Sequence, residues 1–295
     1  MLPLTEKSGA YTVDFIVALA QIKPKLGCLT ENCTLVESAI ERAVADKADL
    51  IVFPELALTG YFLRDLVPDV ALRLDAPEIA RIRELSRHVA IVVGFVEVSD
   101  DYRFFNSAIY VDGGEIRHIH RKVYLPTYGL FDEQRYLARG ERFRAFDTRF
   151  GRMGMLICED MWHLSAPYIL AMDGATTLVC LSSSPGRGIS EDESLGSTAA
   201  WQKLTSTTAM FLNSRVFYCN RVGYEDGVNF WGGSEVIAPS GSVVSRARLF
   251  DEDLLVTRVD GGELRRERIF SPMMRDESLS ITMKELRRIE KGRDC

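Results

Sequence analysis

A mixed α/β sandwich, with sheets covered by helices, is the fold class the sequence predicts, on three observations. Continuous apolar runs rich in β-branched residues alternate with segments whose apolar residues recur at helical spacing. That pattern belongs to strands buried on both faces between amphipathic helices. Two alternating runs flank Asp112-Gly113-Gly114 and read as a hairpin, which a purely parallel sheet does not contain. No GxGxxG follows a strand and no GxxxxGK[ST] loop occurs, so the phosphate-binding signatures of the doubly wound folds are missing.

The elements follow in order. "DFIVALAQI" (14–22) is a buried strand, and "NCTLVESAIERAVADKA" (32–48) a helix with Asn32 as its expected cap. "DLIVFPE" (49–55) is a strand that must stop near Pro54, because proline has no N–H to give a ladder. "APEIARIRELSRHV" is a second helix and "AIVVGFVEV" a second buried strand, before the hairpin "FFNSAIYVDGGEIRHIHRK". "GRMGMLIC" is a strand, "HLSAPYILAMDGA" a helix that Gly174 closes, "TTLVCLSSS" a strand, and "SLGSTAAWQKLTSTTAMFLNSR" a long helix. "VFYCNRVG", "SEVIAPSGSVVSRA" and "DLLVTRVD" complete the strands, with Pro239–Gly241 as a turn. The charged tail from Gly262 is helical. No repeat, linker or low-complexity tract appears, so one domain is expected over 1–295, with a core at about 14–260 and the tail at 261–295.

The chain has 295 residues, 46% of them hydrophobic and 26% charged, enough for a large core. Its net charge is −6 and it has no basic tract, which argues against nucleic acid or an anionic membrane as partner. No apolar run reaches spanning length, and the N-terminus lacks a signal-like apolar stretch. Six cysteines are scattered without paired spacing, as expected of free thiols in a reducing cytoplasm.

Three strand ends carry reactive groups. Glu55, in "IVFPELALTGY", lies at a sheet rim, where an acid can also simply favour a helix N-terminus. Lys122 ends the hairpin, and alternation puts His118, His120 and Lys122 on one face. The plain alternative is a solvated sheet face; a His118/His120 metal pair lacks a supporting Cys or acid cluster, so no metal is expected. Cys158 ends the strand in "GMLICEDMW", next to Glu159 and Asp160. A catalytic thiol needs a base. His163 is close in sequence but has no obvious orienting partner, which disfavours a Cys–His hydrolase. The other solution is a carboxylate base with a lysine: Glu55 takes the thiol proton, and Lys122 holds the thiolate and then an oxyanion.

"FPELALTGY", "HRKVYLP" and "GMLICEDMW" together resemble the nitrilase, or carbon–nitrogen hydrolase, superfamily, from about residue 14 to 260. The resemblance implies a four-layer αββα sandwich with two mixed sheets, no cofactor, and a Glu-Lys-Cys triad. Glu55 would be the general base, Lys122 the oxyanion-stabilising lysine, and Cys158 the nucleophile that forms a thioester. A second glutamate seven residues before a glycine matches Glu133, before Gly140. "LPTYGLFDEQRYLARG", "ICEDMW" and "LSSSPGRG" are further similar to the glutamine-amidase domain of glutamine-dependent NAD synthetases, which makes Tyr61, Tyr128, Glu159 and Ser184 candidate substrate contacts. The synthetase half is not seen in this chain, and Glu191, Asp192 and Glu193 make acidic a segment that is basic in that domain. The expected function is hydrolysis of a small carboxamide, glutaminase- or ω-amidase-like. Nitrile or N-carbamoyl hydrolysis by the same triad, or an ammonia-supplying or regulatory subunit of a separate synthetase, are the alternatives. The stripe Leu279, Ile281, Met283, Leu286 and Ile289 in the tail needs a partner surface, and a homodimer or larger homo-oligomer is expected.

Overall fold

A computed structural model describes residues 13–186 and 196–293. The first half runs β1 (Phe15–Gln21), α1 (Leu29–Ala45), β2 (Leu50–Val52), α2 (Val67–Val70), α3 (Pro77–Leu85), β3 (Ala90–Val98), β4 (Phe104–Asp112) and β5 (Glu115–Arg121). There follow β6 (Phe146–Thr148), β7 (Gly151–Ile157), α4 (Ser165–Met172), β8 (Thr177–Ser182), α5 (Gly196–Leu212) and β9 (Arg215–Asn220). The remainder is β10 (Val222–Glu225), β11 (Val228–Trp231), β12 (Glu235–Ile237), β13 (Val243–Arg246), β14 (Asp253–Val259), α6 (Glu263–Phe270), α7 (Met273–Asp276) and α8 (Leu279–Arg293).

Two six-stranded sheets form, ordered β14-β1-β2-β3-β4-β5 and β13-β12-β9-β8-β7-β6. In each, two parallel pairings at the centre (β1–β2–β3 and β7–β8–β9) are flanked by antiparallel strands. Alternation along β1 explains the layering. Val17 and Leu19 face the second sheet and pack with Met155, Ile157, Val179 and Phe217. Ala18 and Ala20 face outward, onto Val36, Ala39, Ile40 and Ala43 of α1 and Ile79 and Ile82 of α3. Helices α4 and α5 cover the other outer face through Ala166, Leu170, Trp201 and Ala209. The result is the four-layer αββα sandwich, with α1 and α3 outside one sheet and α4 and α5 outside the other.

The predicted strands and helices stand, with differences that have physical causes. Helix α1 begins at Leu29, so Asn32 does not cap it. Its buried amide instead stitches two loops: Oδ1 accepts from Lys25 N at 2.7 Å, and Nδ2 donates to Lys25 O at 2.7 Å and Leu58 O at 3.1 Å. The face carrying His118, His120 and Lys122 is not solvated. It looks into the interface between the sheets, where His118 stacks on Phe146 and burial pushes its pKa down to about 4. Strands β6 and β11 and helix α2 were too short for periodicity to reveal them. The tail is helical, but Leu279, Ile281, Met283, Leu286 and Ile289 are all exposed on α8. The segment with Glu191, Asp192 and Glu193 lies outside the described residues.

Candidate active site

Each reactive side chain sits just past the end of a strand, and local backbone features aim it. After β2 the chain turns across β3 at Gly94, where a Cβ would meet Leu56 N at 2.8 Å and Pro54 O at 3.0 Å. Only glycine permits that approach, which brings Glu55 over the sheet end; Ser183 Oγ then holds the Glu55 carbonyl at 3.1 Å. Lys122 follows β5, its N–H bonded to Asn106 O at 2.8 Å. The segment carrying Glu133 returns to the same strand end at Gly140. Gly140 N donates to Lys122 O at 2.8 Å, and a Cβ there would stand 2.1 Å from Arg121 O. The spacing of glutamate and glycine is therefore the loop needed to bring a second carboxylate onto the lysine. Cys158 ends β7 with φ +45°, a left-handed conformation that costs a non-glycine residue about 1 kcal/mol or more.

The lysine is the centre of the arrangement. Lys122 Nζ lies 2.7 Å from Glu55 Oε1 and 2.7 Å from Glu133 Oε1, and all three side chains are buried. Asn106 Nδ2 donates to the same Glu55 oxygen at 2.8 Å, and the Tyr61 hydroxyl donates to Glu133 Oε1 at 2.5 Å. Among the described residues Glu55 Oε2 and Glu133 Oε2 are buried with no hydrogen-bond partner. Such acceptors are costly unless they have work to do. The Cys158 thiol accepts from Ser182 Oγ at 3.5 Å, and Ser182 in turn accepts from Tyr218 OH at 3.4 Å.

Electrostatics couples these groups. Burial, then the charge of Glu55, raises the Cys158 thiol well above its ordinary pKa, while Lys122 and the Ser182 hydrogen bond pull it back. Burial would lower Lys122, but Glu133, Glu55 and Cys158 outweigh it and raise the ammonium well above its usual range. Glu133 is pushed up to about 7 by burial, with Glu55 adding to the rise and Lys122 opposing it. The thiol is thus a neutral proton donor within the field of the Glu55 carboxylate and the Lys122 ammonium, the groups needed for forming a nucleophile and then holding an oxyanion.

Cys158 opens into a cleft of about 290 Å³ lined by Tyr128, Phe131, Glu159, Trp162, Ser184 and Trp201, among others. Glu159 accepts from the Tyr128 hydroxyl at 2.9 Å, and Ser184 Oγ accepts from Trp231 Nε1 at 3.3 Å. Tyr128, Glu159 and Ser184 thus share the cleft with the thiol. Tyr61 does not line it: its hydroxyl is committed to Glu133, and its ring borders a separate apolar recess of about 70 Å³ with Leu63, Val67 and Leu137. Its backbone is fixed by Glu225, which accepts from Tyr61 N at 2.8 Å and Phe62 N at 2.7 Å and is paired with fully buried Arg221 at 2.5 Å. His163 stacks on Tyr124 with ring centroids 3.5 Å apart and lies 3.8 Å from Glu159; no hydrogen bond joins it to Cys158 among the described residues.

Sequence reasoning missed Asn106, Ser182 and Asp160. Asn106 and Ser182 lie on strands and look like ladder residues; only the alignment of strand ends shows what they touch. Asp160 was visible beside Cys158 but carried no sign of its role. Its two oxygens accept Val123 N at 3.0 Å, Tyr124 N at 2.9 Å, Ile157 N at 3.1 Å, and a bond to His120 Nε2 at 2.8 Å.

A two-sheet αββα sandwich with a buried Glu–Lys–Glu cluster beside a strand-end thiol describes a hydrolase of the nitrilase type. Residues 16–268 match the carbon–nitrogen hydrolase family, and the chain belongs to it. A glutamine-dependent NAD(+) synthetase of Synechocystis is 33% identical over 287 residues, covering 90% of this chain and 50% of that protein. The solved glutamine-dependent NAD+ synthetase of Acinetobacter baumannii superposes with a TM-score of 0.75 at 30% identity, over 84% of this chain and 46% of that one. A carbon–nitrogen hydrolase from Helicobacter pylori, at 23% identity, shares the fold over 93% of this chain and 99% of its own, with a TM-score of 0.84. The chain spans about half the length of the curated synthetases it matches. Among the described residues no helix is long and apolar enough to cross a membrane.

Proposed function

We propose that this enzyme hydrolyses the carbon–nitrogen bond of a small carboxamide carrying a free amino group, glutamine being the leading case, through a thioester on Cys158. The observation that carries the reading is the buried Lys122 ammonium held at 2.7 Å by both Glu55 and Glu133 beside the thiol. Glu55 takes the thiol proton as sulfur attacks the amide carbon, and Lys122 receives the oxyanion. The tetrahedral species collapses as Glu55 returns the proton to the leaving nitrogen, releasing ammonia and leaving an acyl thioester. Glu55 then deprotonates water, which attacks the thioester; the carboxylic acid departs and the thiol is restored. One buried cation aimed at a developing charge is worth about 3 kcal/mol.

Support for an amino-bearing substrate comes from the cleft. Glu159 places a carboxylate, only 13% exposed, in the same cleft as Cys158, with Tyr128 bonded to it. A substrate ammonium satisfies that carboxylate, and the 30–33% identical relatives are named for their use of glutamine. We also propose self-association through α6–α8, whose exposed Ile269, Phe270, Met273 and Ile281 are more apolar surface than a solvated tail needs.

The test is ammonia release from a panel of glutamine, ω-amides, simple amides, nitriles and N-carbamoyl amines, with intact-mass detection of the acyl enzyme in acid-quenched wild type. Glutamine turnover with a matching +129 Da-class γ-glutamyl adduct, about the residue mass expected from thioester chemistry, supports the reading. Turnover undiminished in folded Cys158→Ala refutes it.

A further inference from the structure

We infer that Asp160, held by His120, is a positioning clamp that sets the distance between the Lys122 ammonium and the Cys158 thiol. This rests on the hydrolase reading for its chemistry but not for its geometry. Lys122 and Cys158 follow strands of different sheets, β5 and β7, and stand just past their ends; the bond from Lys122 N to Asn106 O lies within the first sheet and does not set the distance to the second. Asp160 bridges the two. One oxygen accepts the two N–H groups that follow Lys122, those of Val123 and Tyr124; the other accepts the N–H that precedes Cys158, that of Ile157. The carboxylate is wholly buried, as is nearly all of His120. The oxygen facing His120 already accepts from Ile157, so the imidazole must present Nε2–H to it. Neither side chain borders the cleft, and the polar atoms that Asp160 holds are backbone N–H groups on either side of the site together with the His120 ring. Its hold on the site runs through those backbone bonds. The clamp also spans the left-handed turn at Cys158, which needs an external hold to persist.

Asn at 160 must turn an NH2 group toward two donors. The least costly orientation keeps the Val123 and Tyr124 bonds and lets His120 accept after moving its proton to Nδ1. That leaves Ile157 N–H unpaired and releases the thiol side of the clamp. Leucine at 120 leaves Asp160 one donor short, whereas glutamine at 120 can offer an amide N–H in place of Nε2–H.

The experiment compares wild type, Asp160→Asn, His120→Leu and His120→Gln. Its two readouts are kcat and KM, and the pH profile of Cys158 alkylation by iodoacetamide, resolved by peptide mass spectrometry. A displacement on the order of 1 Å costs about 100-fold in rate. D160N and H120L are expected to lose about that much kcat, with KM changed less than about threefold and the alkylation profile moved toward higher pH as Lys122 loses its hold on the thiolate. H120Q is expected to recover most of both. Wild-type kcat and alkylation profile in folded H120L overturn the clamp, as does a loss that tracks only the unfolded fraction and is not rescued in H120Q. If wild type hydrolyses nothing but the alkylation profile still shifts in H120L and returns in H120Q, the hydrolase reading fails and the clamp stands.

Discussion

Replacing Glu133 with glutamine isolates the cost of keeping a second carboxylate on the buried Lys122 ammonium. The glutamine carbonyl can still accept from Lys122 and Tyr61, as Oε1 does now at 2.7 and 2.5 Å, so the variant removes a charge and little else. Burial raises the Glu133 pKa from 4.5 to about 7. At 1.36 kcal/mol per unit, that rise corresponds to roughly 3 kcal/mol. The sign follows from proton binding. Between pH about 4.5 and about 7 the folded state holds a proton that the unfolded state has released, so stability falls as pH rises through this window. Below 4.5 both states are protonated and the contribution is fully present; above about 7 it is gone. Urea unfolding of wild type and E133Q at matched concentration, from pH 4 to 8, should show the wild type losing up to about 3 kcal/mol relative to E133Q across that interval. In activity, the carboxylate form disappears as pH drops through about 7, so kcat/KM should have an acid limb there, belonging to the Glu55–Lys122–Glu133 group as a unit. A flat difference in stability between the two proteins, or an acid limb unchanged in E133Q, would refute the reasoning.

Other outcomes follow from the same geometry. Lys122→Met leaves two buried carboxylates facing one another without their cation, and should abolish turnover and lower stability by about 3–5 kcal/mol in urea. Glu225→Gln strips fully buried Arg221 of its ionic partner and loosens the Tyr61 backbone; a stability loss of about 3 kcal/mol is expected, with a kcat defect that Tyr61→Phe should share in part. Glu159→Gln should raise KM for an amino-bearing amide by about 10-fold or more while leaving a simple amide such as propionamide nearly unaffected; equal effects on both substrates would remove Glu159 from recognition. Light scattering should report a dimer or larger assembly, converted toward monomer by Ile281→Lys with Leu286→Lys, whereas a monomeric wild type ends the self-association proposal.

Much of the molecule was legible in the chain, because the signals are local. Runs such as "AIVVGFVEV" can be buried only as strands covered on both faces, and β3 occupies the residues that run predicts. The Gly113-Gly114 turn takes φ of +63° and +87°, which glycine accepts without strain. Glu55, Lys122 and Cys158 stood out as candidates because each follows a strand end, and the structure brings Lys122 and Glu55 within 2.7 Å of each other near the thiol. Periodicity could not say which face of β5 is wet. His118 and His120 read as polar, yet His118 is half-buried and His120 buried because the second sheet lies over them, and no local pattern carries that information. Nor could spacing distinguish the two carboxylates after Cys158: Glu159 borders the cleft, while Asp160 turns inward to bind four N–H groups. Asn32 looked like a cap because its sequence neighbourhood suited one, but the loop at Leu58 competes for the same amide across the tertiary structure. By itself the sequence determined where strands and helices form and which three residues carry reactive groups, since these depend on side chains close along the chain. Tertiary packing alone decided which oxygens share the lysine, how the thiol is desolvated and what ties Lys122 to Cys158, because those are contacts between strand ends tens of residues apart, made only after the two sheets close on each other.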